Sequence, residues 1–224
     1  MGNPIIAHEF KGNKFYFNST PQAEVLIGEI FSDNYHVLQK GIEFLPGDVI
    51  LDIGACEGMF SIMMAKLFPQ TRVIALEPVP RTFYHLIRNI GLNGVTNVEA
   101  HNIGVGASQG KLMMSVPRDN HSGGSSAVMT FTSAWQTQME VDVVDLDQVL
   151  SWFNKVKLLK MDIEGMEYDA IYPSKLLNRV EHFVGEFHIN KRLKEVLGRD
   201  ITELATWIGS KTDLIYYGPC YMAE

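Results

Sequence analysis

From Val49 onward the chain alternates short, nearly uninterrupted apolar runs with longer stretches whose apolar positions recur every three or four residues. The short runs read as strands buried on both faces and the periodic stretches as crossover helices, a pattern that predicts an α/β domain with a doubly wound, mostly parallel sheet. Residues 49–53 form the first strand. Residues 59–68, apolar nearly all round, form a helix stopped by Pro69. The cycle repeats with a strand over 72–76 and a helix from Arg81, where Phe83, Leu86, Ile87 and Ile90 fall at helical spacing; Pro80 suits its first turn, and Gly91 and Gly94 mark its end. A third strand spans 98–105. About fifty residues then intervene before the next strong strand, 156–161, and they read as a β insertion, with strand-like segments at 111–116 and 140–144 around a polar Gly/Ser-rich loop beginning at Arg118. A short helix over 166–171 meets Pro173 and a strand follows at 182–187. Helical patterns run from Lys191, Asp200 and Glu203 are spaced as a capping box, and 214–217 closes the sheet. Residues 1–45 lack this rhythm and are assigned to an N-terminal lid, with residues 46–224 as the globular domain.

Composition changes this picture little. The 224 residues are 46% hydrophobic and 20% charged, as in ordinary folded domains. A net charge of -7 disfavours nucleic acid as a partner, because an anionic surface repels phosphate backbones. The two cysteines, Cys56 and Cys220, have no metal-ligand spacing and define no disulfide framework. No run of about 18 apolar residues suggests a membrane span, the N-terminus does not read as a signal peptide, and Ile6 occupies the position where a myristoylation motif needs Ser or Thr. These features predict a cytoplasmic protein that does not engage a membrane; a homo-oligomer stays open.

The candidate chemistry begins at the end of the first strand, where DIGACEG (residues 52–58) leads into a helix. Gly54 and Gly58 allow close backbone approach, and the N–H groups around Ala55 at the helix start suit an anionic group. A dinucleotide fingerprint would read GxGxxG; here Cys56 replaces the second glycine and Asp52 precedes the turn, where pyrophosphate would be repelled. S-adenosylmethionine fits better, with its ammonium drawn to Asp52 and its carboxylate to the N–H groups. Glu77, at the end of the second strand, is placed to accept both ribose hydroxyls. Asn102 is a candidate for the adenine edge, while His101 reads as structural. A nicotinamide-dependent oxidoreductase and a non-catalytic nucleotide-fold module remain as alternatives.

With DIGACEG, EPVP (residues 77–80) and KMDIEGME (residues 160–167) in order, the chain resembles the FkbM family of S-adenosylmethionine-dependent methyltransferases over roughly residues 45–190. The resemblance implies a Rossmann-like class I fold with a seven-stranded sheet. It also implies methylation of hydroxyl groups on sugars, polyketides or other natural products, so that the partner is a hydroxylated small molecule. Cys56 and Glu57 depart mildly from the family pattern.

Because ligands in open α/β sheets bind beyond the carboxyl ends of the strands, Asp162, Glu164, Glu186 and His188 converge on one pocket. His188 is the candidate general base, with Asp162 or Glu186 orienting it or the hydroxyl, and Asp162 also faces the cofactor. The alternative is a divalent metal, Mg2+ or Mn2+, on Asp162, Glu186 and His188. DIEG stands where an Asn-Pro-Pro-Tyr motif would indicate a nitrogen acceptor. Tyr35, His36 and His121 are candidates to line the acceptor pocket.

Overall fold

The computed structural model describes residues 4–32, 36–118, 136–189, 198 and 200–221. A hairpin of β1 (Ile5–Phe10) and β2 (Asn13–Asn18) is followed by helices α1 (Ala23–Ile30) and α2 (His36–Gln39). Next come β3 (Val49–Ile53), α3 (Met59–Leu67), β4 (Arg72–Leu76), α4 (Pro80–Asn93) and β5 (Val98–His101). The insertion supplies β6 (Gly104–Gly106), β7 (Gly110–Pro117) and β8 (Gln136–Asp145), leading into α5 (Leu146–Leu150). The chain continues through β9 (Val156–Met161), α6 (Glu167–Ile171), β10 (Val180–Ile189), α7 (Ile201–Gly209) and β11 (Asp213–Tyr221).

Six strands form the central sheet in the order β11-β10-β9-β3-β4-β5, and every neighbouring pair is parallel. That matches the number of core runs in the sequence. It is one fewer than the resemblance implies: β11 joins β10 in parallel, and no antiparallel strand enters this sheet among the described residues. The order runs from β3 through β4 to β5 on one side and from β9 through β10 to β11 on the other. The switch point therefore lies between β3 and β9, and the crevice beyond their carboxyl ends is the expected ligand site.

All five residues of β3 are buried, as are all residues of α3 from Met59 to Ala65. A helix apolar all round needs cover on every side. Beneath α3 lies the sheet; over it pack Phe15, Phe17 and Phe31 from the N-terminal segment, in one apolar cluster with Ile62, Met63 and Met64. Asn18 and Asn89 tie this segment to α4 through bonds of 2.9 and 2.6 Å to the Asn89 Oδ1, and the Asn89 amide in turn donates to the Glu57 carbonyl at 2.8 Å. Residues before 45 thus share the core of the domain.

The single strand expected over 98–105 is two. Val98–His101 pairs with β4, whereas Gly104–Gly106 pairs with β8 in a separate three-stranded sheet of order β6-β8-β7. Between them the Asn102 side-chain amide donates to the carbonyls of Glu77 and Pro78, at 2.8 and 3.0 Å, and fixes the bend. The insertion strands are longer than read, β7 and β8 pairing antiparallel over eight positions. Asp200 caps α7 by accepting from the N–H groups of Thr202 and Glu203. The helix expected from Lys191 and most of the loop after Arg118 lie outside the described residues. No helix among the described residues is long and apolar enough to cross a membrane.

Candidate active site

Two adjoining cavities of about 280 and 320 Å³ open beyond the carboxyl ends of β3 and β9, with Leu26, Glu29, Gly54, Cys56, Asp162 and Glu186 common to both. The first extends towards Glu77, Ile103 and the insertion residues Leu112, Met114 and Val143. The second extends between α1 and α3 and takes in Lys160 and Phe60.

Gly54 has φ +78°, a left-handed conformation, and a Cβ there would overlap the carbonyl oxygen of Asp162. Its absence lets β3 and β9 close at their ends, where the Asp162 N–H donates to the Ile53 carbonyl at 3.0 Å. The N–H groups expected to meet an anion are already engaged: those of Gly54 and Ala55 donate to the Leu76 carbonyl, that of Cys56 to Glu77 Oε2, and that of Gly58 to Ala55. Ala55 lines the second cavity. Gly58 lies behind it, at the N-cap of α3 with φ +85°, and a Cβ there would strike the Leu86 side chain, so its requirement is helix packing.

Asp52 is likewise displaced from its expected role. It is fully buried, accepts from Ser61 Oγ at 2.6 Å, and faces the Lys160 ammonium at 3.4 Å. Lys160 occupies the register position opposite Asp52 and also donates to the Gly54 carbonyl at 2.9 Å. Asp52 therefore holds a protein cation and steadies the turn; the carboxylates of Asp162, Glu29 and Glu186 line the cavities. The sequence signal for Lys160 was the first letter of KMDIEGME, two positions before Asp162 and on the same strand face.

Glu77 lines the first cavity and accepts from the N–H groups of Cys56 at 3.0 Å and Val79 at 2.9 Å. Burial pushes its carboxyl up to about 7, against the opposing pull of the Val79 and Cys56 N–H groups and the Lys160 charge. A carboxylate accepts about four hydrogen bonds, so two remain for a ligand diol. Asn102 does not reach the cavity, its amide being bound to the carbonyls at the bend; the neighbouring Ile103 lines it instead. His101 pairs with Glu99 at 3.0 Å and packs against Trp152.

At the other end, Asp162, Glu164, Glu186 and His188 all line the first cavity. Glu164 takes a left-handed φ of 55° ahead of Gly165 at φ 101°. The carboxylate that organises this turn is Glu167, fully buried at the start of α6: it accepts from the N–H groups of Ile163 at 3.1 Å and Gly165 at 3.0 Å and holds His188 Nδ1 at 2.9 Å. Glu186, expected with Asp162 to orient the imidazole or the hydroxyl, is exposed at the rim, and partial desolvation by the cavity wall together with the Asp162 charge raises its pKa. Burial also opposes the His188 imidazolium, yet the hydrogen bond and charge of Glu167 and the charges of Glu164 and Asp162 outweigh it and push its pKa up to about 9. That environment favours the imidazolium and works against the role of general base expected of His188. Tyr35, His121 and the side chain of His36 lie outside the described residues.

A parallel sheet with a glycine turn at its switch point, a buried strand-end acid and an acidic cluster opposite define a Rossmann-like ligand-binding domain. The chain belongs to the family of the methyltransferase FkbM domain, whose model matches residues 52–208. It is 29% identical over 168 residues to "Methyltransferase 1" of Beauveria bassiana, an alignment covering 67% of this chain and 66% of that protein, so the chain spans about two thirds of that relative's length. Methyltransferase sdnD of Sordaria araneosa is 28% identical over 189 residues, covering 70% of this chain and 71% of its own. A shorter match, 41% over 68 residues, covers 30% of this chain and 26% of the 31-O-demethyl-FK506 methyltransferase FkbM of Streptomyces tacrolimicus. Among solved structures, a SAM dependent methyltransferase from Aquifex aeolicus matches over 72% of this chain and 65% of its own, at 14% identity and a TM-score of 0.37.

Proposed function

We propose that the protein transfers the methyl group of S-adenosylmethionine to a hydroxyl group of a small molecule. The observation that carries this reading is the distribution of charge along the first cavity. Glu77 at one end suits a ribose diol, and the carboxylates of Glu29, Asp162, Glu164 and Glu186 at the other suit a sulfonium and an ammonium. A dinucleotide would have to place its pyrophosphate among those carboxylates, which disfavours the oxidoreductase. Lys160, on the wall of the second cavity, supplies a cation suited to the cofactor's carboxylate.

The acceptor enters beside Asp162 and Glu186, under α1. Its oxygen attacks the methyl carbon in line with the departing sulfur; the O–C bond forms, the C–S bond breaks with its electron pair left on sulfur, and the proton passes to Glu186. His188, already protonated and held by Glu167, orients the acidic turn.

Calorimetry with S-adenosylhomocysteine tests the cofactor. Binding is expected in the micromolar range and is weakened at least about tenfold in Glu77→Ala; absence of binding to folded protein sinks the reading. The acceptor atom is tested with radiolabelled S-adenosylmethionine and matched hydroxyl, amine and thiol compounds, of which only the hydroxyls are expected to be methylated. The Glu77 carboxyl adds a pH signature. Since its pKa lies near 7, a tenth of the molecules carry the carboxylate near pH 6 and nine tenths near pH 8, so affinity rises about tenfold across that interval. The rise disappears in Glu77→Gln. Stability runs the other way: the raised carboxyl favours the folded state below its ordinary range, and that contribution is lost as pH rises through about 7.

A further inference from the structure

We propose that Asp162, Glu164 and His188 form a binding site for one divalent cation of the Mg2+ or Mn2+ type. One ligand atom from each lies within 4.8 Å of the others. His188 Nε2 is 3.4 Å from Glu164 Oε2 and 3.9 Å from Asp162 Oδ1. Neighbouring ligands of an octahedral ion bonded at about 2.1 Å stand about 3 Å apart, so the three atoms need only side-chain contraction to close on a metal. Two carboxylates with one imidazole make a donor set for this class of ion. Glu164, and not the rim residue Glu186, completes it.

The imidazole carries the case beyond an acidic cluster. His188 is 3% exposed, and its Nδ1 is held at 2.9 Å by Glu167, itself fully buried and anchored by the N–H groups of Ile163 and Gly165. A carboxylate behind Nδ1 fixes the ring with Nε2 aimed forward, the arrangement found behind metal-bound histidines, and an incoming ion displaces the Nε2 proton as it binds. Asp162 and Glu164 keep side-chain exposures of 32% and 28% on the cavity side, which leaves coordination positions open. Charge balance points the same way. Three carboxylates, Asp162, Glu164 and Glu167, surround one imidazole, and the nearest lysine, Lys160, stands 3.9 Å from Asp162 while pairing with Asp52.

Its catalytic meaning rests on the hydroxyl methylation proposed above. A cation held by these residues would lower the pKa of an acceptor hydroxyl beside it and so ease the loss of that proton to Glu186.

Mn2+ titrated into the purified full chain, with free Mn2+ read by electron paramagnetic resonance, tests the site. One ion per chain is expected to bind with a dissociation constant of about a millimolar or tighter. Binding is expected to weaken at least about tenfold in Glu164→Gln and in Asp162→Asn, and to stay within about threefold of wild type in Glu186→Gln. No uptake by folded wild type, or uptake that Glu164→Gln leaves unchanged, overturns the proposal. S-adenosylhomocysteine is titrated into the same samples: its binding without Mn2+ uptake removes the metal site alone, and Mn2+ uptake without it removes the cofactor reading alone.

Discussion

Gly54→Ala is expected to abolish S-adenosylhomocysteine binding and to lower the denaturation midpoint of the whole domain. The residue sits at φ +78°, where an L side chain costs about 1–2 kcal/mol. The larger effect is steric. The new methyl would overlap the backbone oxygen of Asp162, and a carbonyl at the end of a buried strand has no rotamer in which to escape. Either β9 moves away from β3, breaking the bond from the Asp162 N–H to the Ile53 carbonyl, or the turn shifts out of the cavity wall. Overpacking of this kind adds about 1–3 kcal/mol. Gly91 is the internal control: it lies exposed within α4 with open space around its Cα, so Gly91→Ala is expected to be neutral or to stabilise by up to about 1 kcal/mol. Urea denaturation and calorimetry on the two variants check both statements; a Gly54→Ala protein with wild-type stability and affinity would show that the strand ends are not closed as described.

The second large effect is expected at Glu167, which never touches the cavity. Its two oxygens serve the N–H groups of Ile163 and Gly165 and the His188 ring. Glu167→Gln places an amide N–H₂ among donors and removes the charge that faces the imidazolium. Breaking one partner of a buried ion pair costs about 3–5 kcal/mol. Unfolding in urea should show a loss of that size, and His188→Ala in the same background should then cost much less than in wild type, because the two residues act as one unit. Additive losses in that double-mutant cycle would refute the pairing.

The sequence made the scaffold legible where local and tertiary preferences agree. β3, α3, β4 and α4 follow from apolar patterning with Pro69, Pro80 and Gly94 as boundaries, but the face read for α4 is only partly right: Leu86 is buried, with Thr82 and Asn89 beside it, while Ile87 is exposed. Reading 98–105 as one strand missed the break at Asn102, since the reason for the break is a pair of hydrogen bonds to carbonyls more than twenty positions away. The site was legible as a set of residues and less so as a set of roles. Asp162, Glu164, Glu186 and His188 do converge on one cavity, as strand order and alternation require. Asp52 was read against an expected ligand, but its partner is Lys160 on the adjacent strand. Glu167 was visible only as the last letter of a motif; what it does depends on the left-handed turn at Glu164 and Gly165, which no spacing rule encodes.

Helix α1 stands where the two cavities meet, and its Leu26 and Glu29 belong to the walls of both. Any free energy that one occupant expends in fixing this helix is free energy the other occupant need not expend. In the reaction proposed above, cofactor and acceptor would therefore be linked through a shared wall as well as through their contact at the methyl group, and such linkage is reciprocal: the factor by which the cofactor tightens the acceptor equals the factor by which the acceptor tightens the cofactor.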